Sequence, residues 1–313
     1  TEGEKAIKTY RSLEEIAVDF SGKNVEKMAQ ALFDQGKTTL ADGLIRKVKI
    51  VGLETPESAS AMVESLEALR QQDDDWYLVL TDEKDDEYIQ ALAAWAEGTE
   101  PTEAELEAGI EDHRKLYFAQ TANKSLSVTN RRSVIVYHSD EEEAAAAWVG
   151  NVGPFYPQSV TWKFKQPQEI TLQPLTDAER EALEEANINF LSVEYKREYM
   201  KNGVCADGEY IDSQMGADYI ALTIRENLYN LLIQTPKVPY TNQGFVQVAS
   251  AVFSALNRAV EYGIIAKDPE SKKGMYLVDV PTRADATDDQ ARAREMPPIT
   301  WEAQLEGTVH RVK

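Results

Sequence analysis

The sequence predicts an α/β to α+β chain of mixed sheets with packed helices, in more than one domain, and three observations lead there. Over the first 120 residues, short β-branched runs alternate with apolar stripes at three- and four-residue spacing, the pattern of helices laid on a partly parallel sheet. Gly153-Pro154 and Tyr156-Pro157 then punctuate the chain. They set the expected boundary between an acidic amino-terminal α/β region, 1–152, and a carboxyl-terminal α+β region, 153–313. Past residue 217, two amphipathic helices precede short strand-like runs.

Ser12-Leu-Glu-Glu15 has capping-box spacing and opens a short helix through Phe20, and Val25, Met28, Ala29, Leu32 and Phe33 mark a second that Gly36 ends. Lys47–Gly52, the helical stripe Ala61–Leu69 and Trp76–Leu80 read as β, α, β. A helix over Ile89–Ala96, strands at Leu116–Ala119 and Val134–Tyr137, and a helix from Glu141 to Val149 follow. Val160–Lys165 alternates apolar and basic residues as a half-wet strand does, and Thr176-Asp-Ala-Glu179 caps another helix. Asn202-Gly203 and Asp207-Gly208 supply turns between strands near Val193 and Val204. Ala217–Ile233 is helical until Pro236 and Pro239, and Asn242 caps a second helix that Gly263 ends. This hairpin is expected to cover a sheet, with Met275–Val280 as a strand, Thr287–Glu295 as a short helix and Pro297-Pro298 leading into a final strand. That strand, Thr300–Lys313, stops without a turn and leaves backbone groups for a neighbouring chain to pair. Thr1 stands where an initiator Met is expected, so the chain reads as trimmed.

The formal net charge is −21. Between Glu54 and Asp112 there are 19 acidic residues against Arg70 and Lys84 alone, a local balance of −17. Such a field repels nucleic acid, whose binding depends on Lys and Arg displacing counterions, so no direct nucleic-acid binding is expected. No run approaches the ~18 apolar residues of a membrane span. The single cysteine, Cys205, allows no internal disulfide and no charged leader with an apolar core opens the chain, so a reducing compartment is expected and export is not.

No phosphate loop, dinucleotide turn or nucleophile elbow occurs. His113, His138 and His310 lie in unrelated contexts without zinc-site spacing. Cys205 has no base at a telling distance in sequence, and Glu209 and Asp212 read as turn and helix-dipole residues. Asp73-Asp-Asp75 and Asp82, Asp85, Asp86 and Glu87 lack the glycine and spacing of a calcium loop and read as solvated charge. The expectation is no catalytic, cofactor or metal site.

Several segments, taken in order, resemble the contractile tail sheath proteins of myovirus-type bacteriophages. They are Tyr10–Phe20, Ala91–Ala96, Val160–Lys165, Asn187-Ile-Asn189, Asp207–Asp212, Val238–Gly244, Tyr262–Ala266 and Ile299–Ala303. The resemblance spans nearly the whole chain and is strongest from Asn187 onward. It implies a sheath-type carboxyl-terminal domain in a structural virion subunit, assembled in the host bacterial cytoplasm. The partners it implies are further copies of the chain in helically stacked hexameric rings, the tail tube protein, and baseplate and tail terminator proteins. Contraction then draws on energy stored in the extended lattice, and no nucleotide is consumed. Subunits of this kind exchange terminal arms as added strands. Leu305-Glu-Gly-Thr-Val-His-Arg-Val-Lys313 matches the start of such an arm, with Leu305, Gly307, Thr308, Val309, Arg311 and Lys313 as the expected assembly residues. The chain departs from the family pattern by lacking most of an amino-terminal arm and a full carboxyl-terminal one. A soluble α/β enzyme or ligand-binding domain whose site leaves no motif is the competing reading.

Overall fold

The computed structural model describes residues 7–37, 45, 47–52, 58–98, 115–139, 141–157 and 159–310. The chain divides into two compact units, one running to Tyr156 and resuming over Val160–Ile211, the other made of Asp212 onward with Pro157–Ser159. Compactness thus breaks near residue 211 rather than at Gly153, because strands from both sides of Gly153 share one sheet.

That sheet holds β3 (Leu78–Leu80), β4 (Leu116–Thr121), β5 (Ser133–Tyr137), β6 (Asn189–Glu194) and β7 (Arg197–Lys201) side by side in chain order. The first four run parallel and β7 returns antiparallel. Every residue of β4 is buried, the mark of a strand covered on both faces. On one face, Tyr117, Ala119, Ile135 and Phe190 join a core with α3 (Ala59–Arg70), α4 (Asp86–Glu97) and α6 (Asp177–Glu185). On the other, Phe118 meets Trp148 and Trp162, with ring centroids 6.2 and 4.9 Å away. Trp148 lies on α5 (Ala144–Val152), a helix buried on all sides, as a sequence apolar but for Asn151 favours. α5 packs against α2 (Asn24–Phe33) so closely that a Cβ on Gly150 would lie 2.2 Å from the Leu32 carbonyl oxygen.

Two of the caps read from sequence hold. Thr176 Oγ1 accepts from the Glu179 amide while Glu179 reaches back to Thr176, and Ser12 Oγ accepts from the Glu15 amide at the start of α1 (Leu13–Phe20). Three expectations change. The β, α, β reading of Lys47–Leu80 fails because β2 (Val48–Ile50) pairs antiparallel with β1 (Lys8–Tyr10) in its own two-stranded sheet. Val160–Lys165 is no strand, since Trp162 is drawn into the core and Phe164 takes a left-handed φ of 64°, which ends extended backbone. The β6–β7 turn is Tyr195-Lys196, not Asn202-Gly203, because the Glu194–Arg197 register leaves those two residues between the strands. Asn189 explains its own prominence in the sequence: its buried amide donates to the Ile135 and Val204 carbonyls and accepts from the Gly203 and Val204 amides.

The run Asp73-Asp-Asp75 is also not merely solvated charge. Lys49 Nζ lies 2.6 Å from Asp73, Lys47 3.5 Å from Asp75, and buried Lys115 2.6 Å from Asp74. Lys115 also donates to the Trp76 carbonyl at 2.7 Å and sits 4.1 Å from the Trp76 ring centroid. The hydrogen bond from Lys49 holds the Asp73 carboxyl below its ordinary range.

In the second unit, α7 (Ile211–Gln234) and α8 (Asn242–Glu261) form the expected hairpin. Thr241, one residue before the expected Asn242, caps α8 by accepting from the Gly244 amide at 3.4 Å. A Cβ at residue 244 would lie 1.8 Å from the Pro239 carbonyl oxygen, so the segment Val238–Gly244 needs glycine at its end. β8 (Tyr276–Asp279) and β9 (Thr300–Ala303) pair antiparallel, with α9 (Asp288–Ala293) between them in sequence.

Candidate assembly surface

The β8–β9 sheet packs one face on the helical hairpin. Tyr276, Val278, Ala303, Ile299 and Leu305 lie against Ile220, Val252, Leu256, Ala259, Val260, Ile264 and Ile265. The strand pairing does not continue to residue 310: β9 ends at Ala303, and Leu305 makes one isolated antiparallel bridge with Ile265. The Gln304 amide donates to the Met275 carbonyl at 2.9 Å, and the Ala266 amide to the Gln304 carbonyl at 2.9 Å. Successive strand residues aim their backbone groups to opposite sides. Those of Trp301, Ala303 and Leu305 therefore point outward from β9, and those of Tyr276 and Val278 outward from β8. Among the described residues these groups have no hydrogen-bond partner, so the two-stranded sheet presents two open edges.

Of the expected assembly residues, Leu305 is half-buried and Val309 is 74% exposed. Gly307 has nothing within 4 Å of a notional Cβ, and Thr308 Oγ1 lies 3.5 Å from Asp212 Oδ2. Arg311 and Lys313 lie outside the described residues, as does His113. Sequence reasoning found the carboxyl-terminal run but missed a set of exposed apolar residues. On α7, Leu222, Tyr229, Leu232 and Ile233 are exposed, as are Val246 on α8 and Leu277 on β8. Leu222, Tyr229 and Ile233 are seven and four residues apart, which places them along one helical stripe.

An α/β enzyme would place its chemistry at the carboxyl ends of the parallel strands, and His138 stands there beside Glu142, Nε2 to Oε2 3.4 Å. Its Nδ1 lies 3.1 Å from the Ser139 carbonyl oxygen and its Nε2 3.0 Å from that of Thr171. Both ring nitrogens are thus engaged with backbone, which makes His138 a fastener between loops. Burial works against ionising Glu142, but the Thr171 hydroxyl and amide still hold its carboxyl below the usual range. Cys205 is buried, its amide donating to the Glu209 carbonyl, and the Glu209 carboxylate accepts from the Tyr210 amide. Asp212 accepts from the Ser213 amide. Among the described residues, no three His, Cys, Asp or Glu side chains are grouped to hold a metal ion, and no helix is long and apolar enough to cross a membrane.

Residues 211–313 match the family model described as the E217 tail sheath protein gp31-like, C-terminal domain. The chain carries a tail sheath C-terminal domain. The family that the sequence resembles, the contractile tail sheath proteins, is thereby borne out for the part of the chain holding the open sheet. Among solved structures, a chain of the anti-feeding prophage baseplate, determined by cryo-electron microscopy with six-fold symmetrisation, aligns with a TM-score of 0.71 at 14% identity, covering 100% of this chain and 88% of that one. The sheath tail protein Lin1278 from Listeria innocua aligns with a TM-score of 0.53 at 11% identity, covering 78% of this chain and 59% of its own. At these identities the two likenesses concern the fold alone. No curated protein matches the chain in sequence.

Proposed function

We propose that the protein is the structural subunit of a contractile tail sheath, polymerising around a tail tube in stacked six-membered rings and shortening during infection. The observation that carries this reading is the β8–β9 sheet: it lies in the tail sheath domain, its edges are unpaired, and Leu277 on β8 is exposed. A strand from a neighbouring copy would satisfy the outward backbone groups of Trp301 and Ala303, with alternate side chains choosing between core and solvent. On this reading residues 305–313 form the start of the strand that each subunit lends, and residues 212–313 act as the assembly domain. Its further partners are the tube protein and the baseplate and terminator proteins that end the sheath. Its place is the virion tail, after assembly in the host cytoplasm. Contraction then needs no catalytic residue, since the extended lattice stores the energy.

Electron microscopy of the full chain, with complete terminal arms supplied at both ends, at rising concentration tests the reading. Striated tubes or stacked rings are expected. Uniform monomers at all concentrations, together with turnover of a small-molecule substrate, would replace it with the enzyme reading.

A further inference from the structure

We propose that the β6–β7 hairpin tip of one copy docks on the acidic loop after β3 in a second copy, a link made within the first unit and separate from strand exchange. It rests on the reading that copies of this chain assemble. Tyr195 at the tip is 98% exposed, more than any other large apolar side chain among the described residues. It and Lys196 have φ values of 48° and 64°, the left-handed pair that two-residue hairpins normally give to Asn-Gly. A tyrosine gains nothing there from its own chain, so a strained and fully wet aromatic points to contact with another molecule.

Charge and topology select the partner. Lys196 and Arg197 pair with no carboxylate among the described residues, while the nearby Glu194 lies 3.7 Å from Lys201. Glu198, the remaining acid near the tip, sits in register with Val193 on the opposite face from Arg197. Strands β3 to β6 are parallel, so the tip after β6 and the loop after β3 emerge at the same end of the sheet. Strand order sets them three strands apart, about 14 Å at ~4.8 Å per strand. In that loop and the first turn of α4, Asp82, Asp85 and Glu87 are exposed and make no ion pair among the described residues. Of their neighbours, Lys84 is held by Glu143 at 3.1 Å, Glu83 accepts from the Lys84 and Asp85 amides, and Asp86 accepts from Asn123. One flank thus ends in a cationic aromatic knob and the other in an anionic loop. Two different patches that complement each other make a head-to-tail contact, which closes a ring or continues as a helix. The charges orient the approach and Tyr195 supplies the buried anchor.

The test is a charge swap in the full chain. K196E/R197E and D82K/D85K/E87K should each raise the concentration needed for assembly by at least about tenfold, and the variant carrying all five changes should restore it. Y195A should weaken assembly in the same direction, with melting temperatures near wild type showing that the variants fold. A photo-crosslinking residue at position 195 should capture residues 82–87 of another copy. Reversal variants that assemble like wild type, a swap that restores nothing, or crosslinks that map elsewhere would overturn the proposal while leaving the sheath reading intact. Failure of the wild-type chain to assemble would remove both.

Discussion

In the first unit Trp148, Trp162 and Phe118 are at most 1% exposed between sheet and helix, whereas in the second Tyr229 is 59%, Ile233 76% and Leu277 69% exposed. The first unit also exposes Val18 and Tyr195 and holds the two-stranded β1–β2 sheet, but its five-stranded sheet is covered on both faces and the central strands of that sheet are paired on both sides. The second has a two-stranded sheet with free edges and a helix carrying apolar residues on its wet side. An isolated two-stranded sheet is marginal in water and an open apolar edge invites another chain. The contrast teaches that the first unit's core is complete by itself, while the second leaves contacts for a partner to make.

The contrast breaks most visibly in the sealed core. Trp148→Ala should cost about 3–5 kcal/mol, since the cavity cannot collapse between Phe118 and Trp162, and should lower the melting temperature by roughly 10 °C. Thermal unfolding followed by circular dichroism measures this; a fall under about 3 °C would mean that the aromatic cluster is loosely packed. Next in size is Asp74→Asn. It leaves the buried Lys115 ammonium without its carboxylate, an effect of about 2–4 kcal/mol and roughly 5–10 °C, whereas solvated charge would give almost none.

Acid should act on the carboxylates of both units. Glu179 titrates at about 2, held down first by the Lys124 ammonium and then by the Thr176 amide and hydroxyl. Asp268 and Asp285 are lowered by local amide and hydroxyl donors. With folded values below unfolded ones, the unfolded state binds more protons in acid. Their stabilising contribution is therefore present above about pH 4.5 and fades as pH falls through each folded value, toward about 2 for Glu179. Denaturant midpoints at pH 6, 4 and 3 should fall in that order, and Lys124→Met should flatten the decline; a flat wild-type profile would contradict the assignment. The smallest effect on stability belongs to the exposed α7 stripe. Tyr229→Ser with Ile233→Ser should shift the melting temperature by no more than about 2 °C, yet reduce assembly by sedimentation.

Much of the second unit could be read from sequence because its signals are local. Pro236 and Pro239 end one helix, the next begins within one residue of the cap read at Asn242, and the stripe from Phe245 to Val260 fixes the buried face. In the first unit the helices and their caps were equally legible, but partnership was not. Nothing near Val48 says that its partner is Lys8–Tyr10 rather than β3, and nothing near Asp74 announces Lys115, since both pairings are long-range. Val160–Lys165 misled because alternation resembles a strand, while the burial of Trp162 beside Trp148 is a tertiary fact. The open sheet edge was the least legible feature: the carboxyl-terminal run showed that a strand was present, but not which amides faced outward.

Those amides allow the account's central claim to be tested by one matched pair of proline variants. The Ala303 amide points away from β8, so Ala303→Pro should leave the internal ladder intact and keep the melting temperature within about 3 °C, while Glu302→Pro removes an internal donor and should lower it clearly. Electron microscopy of the full chain and of Ala303→Pro at equal concentration then decides. The account requires tubes or rings from the wild type and folded, unassembled subunits from the variant; assembly of Ala303→Pro as ready as that of the wild type would show that the edge of β9 is not where copies join.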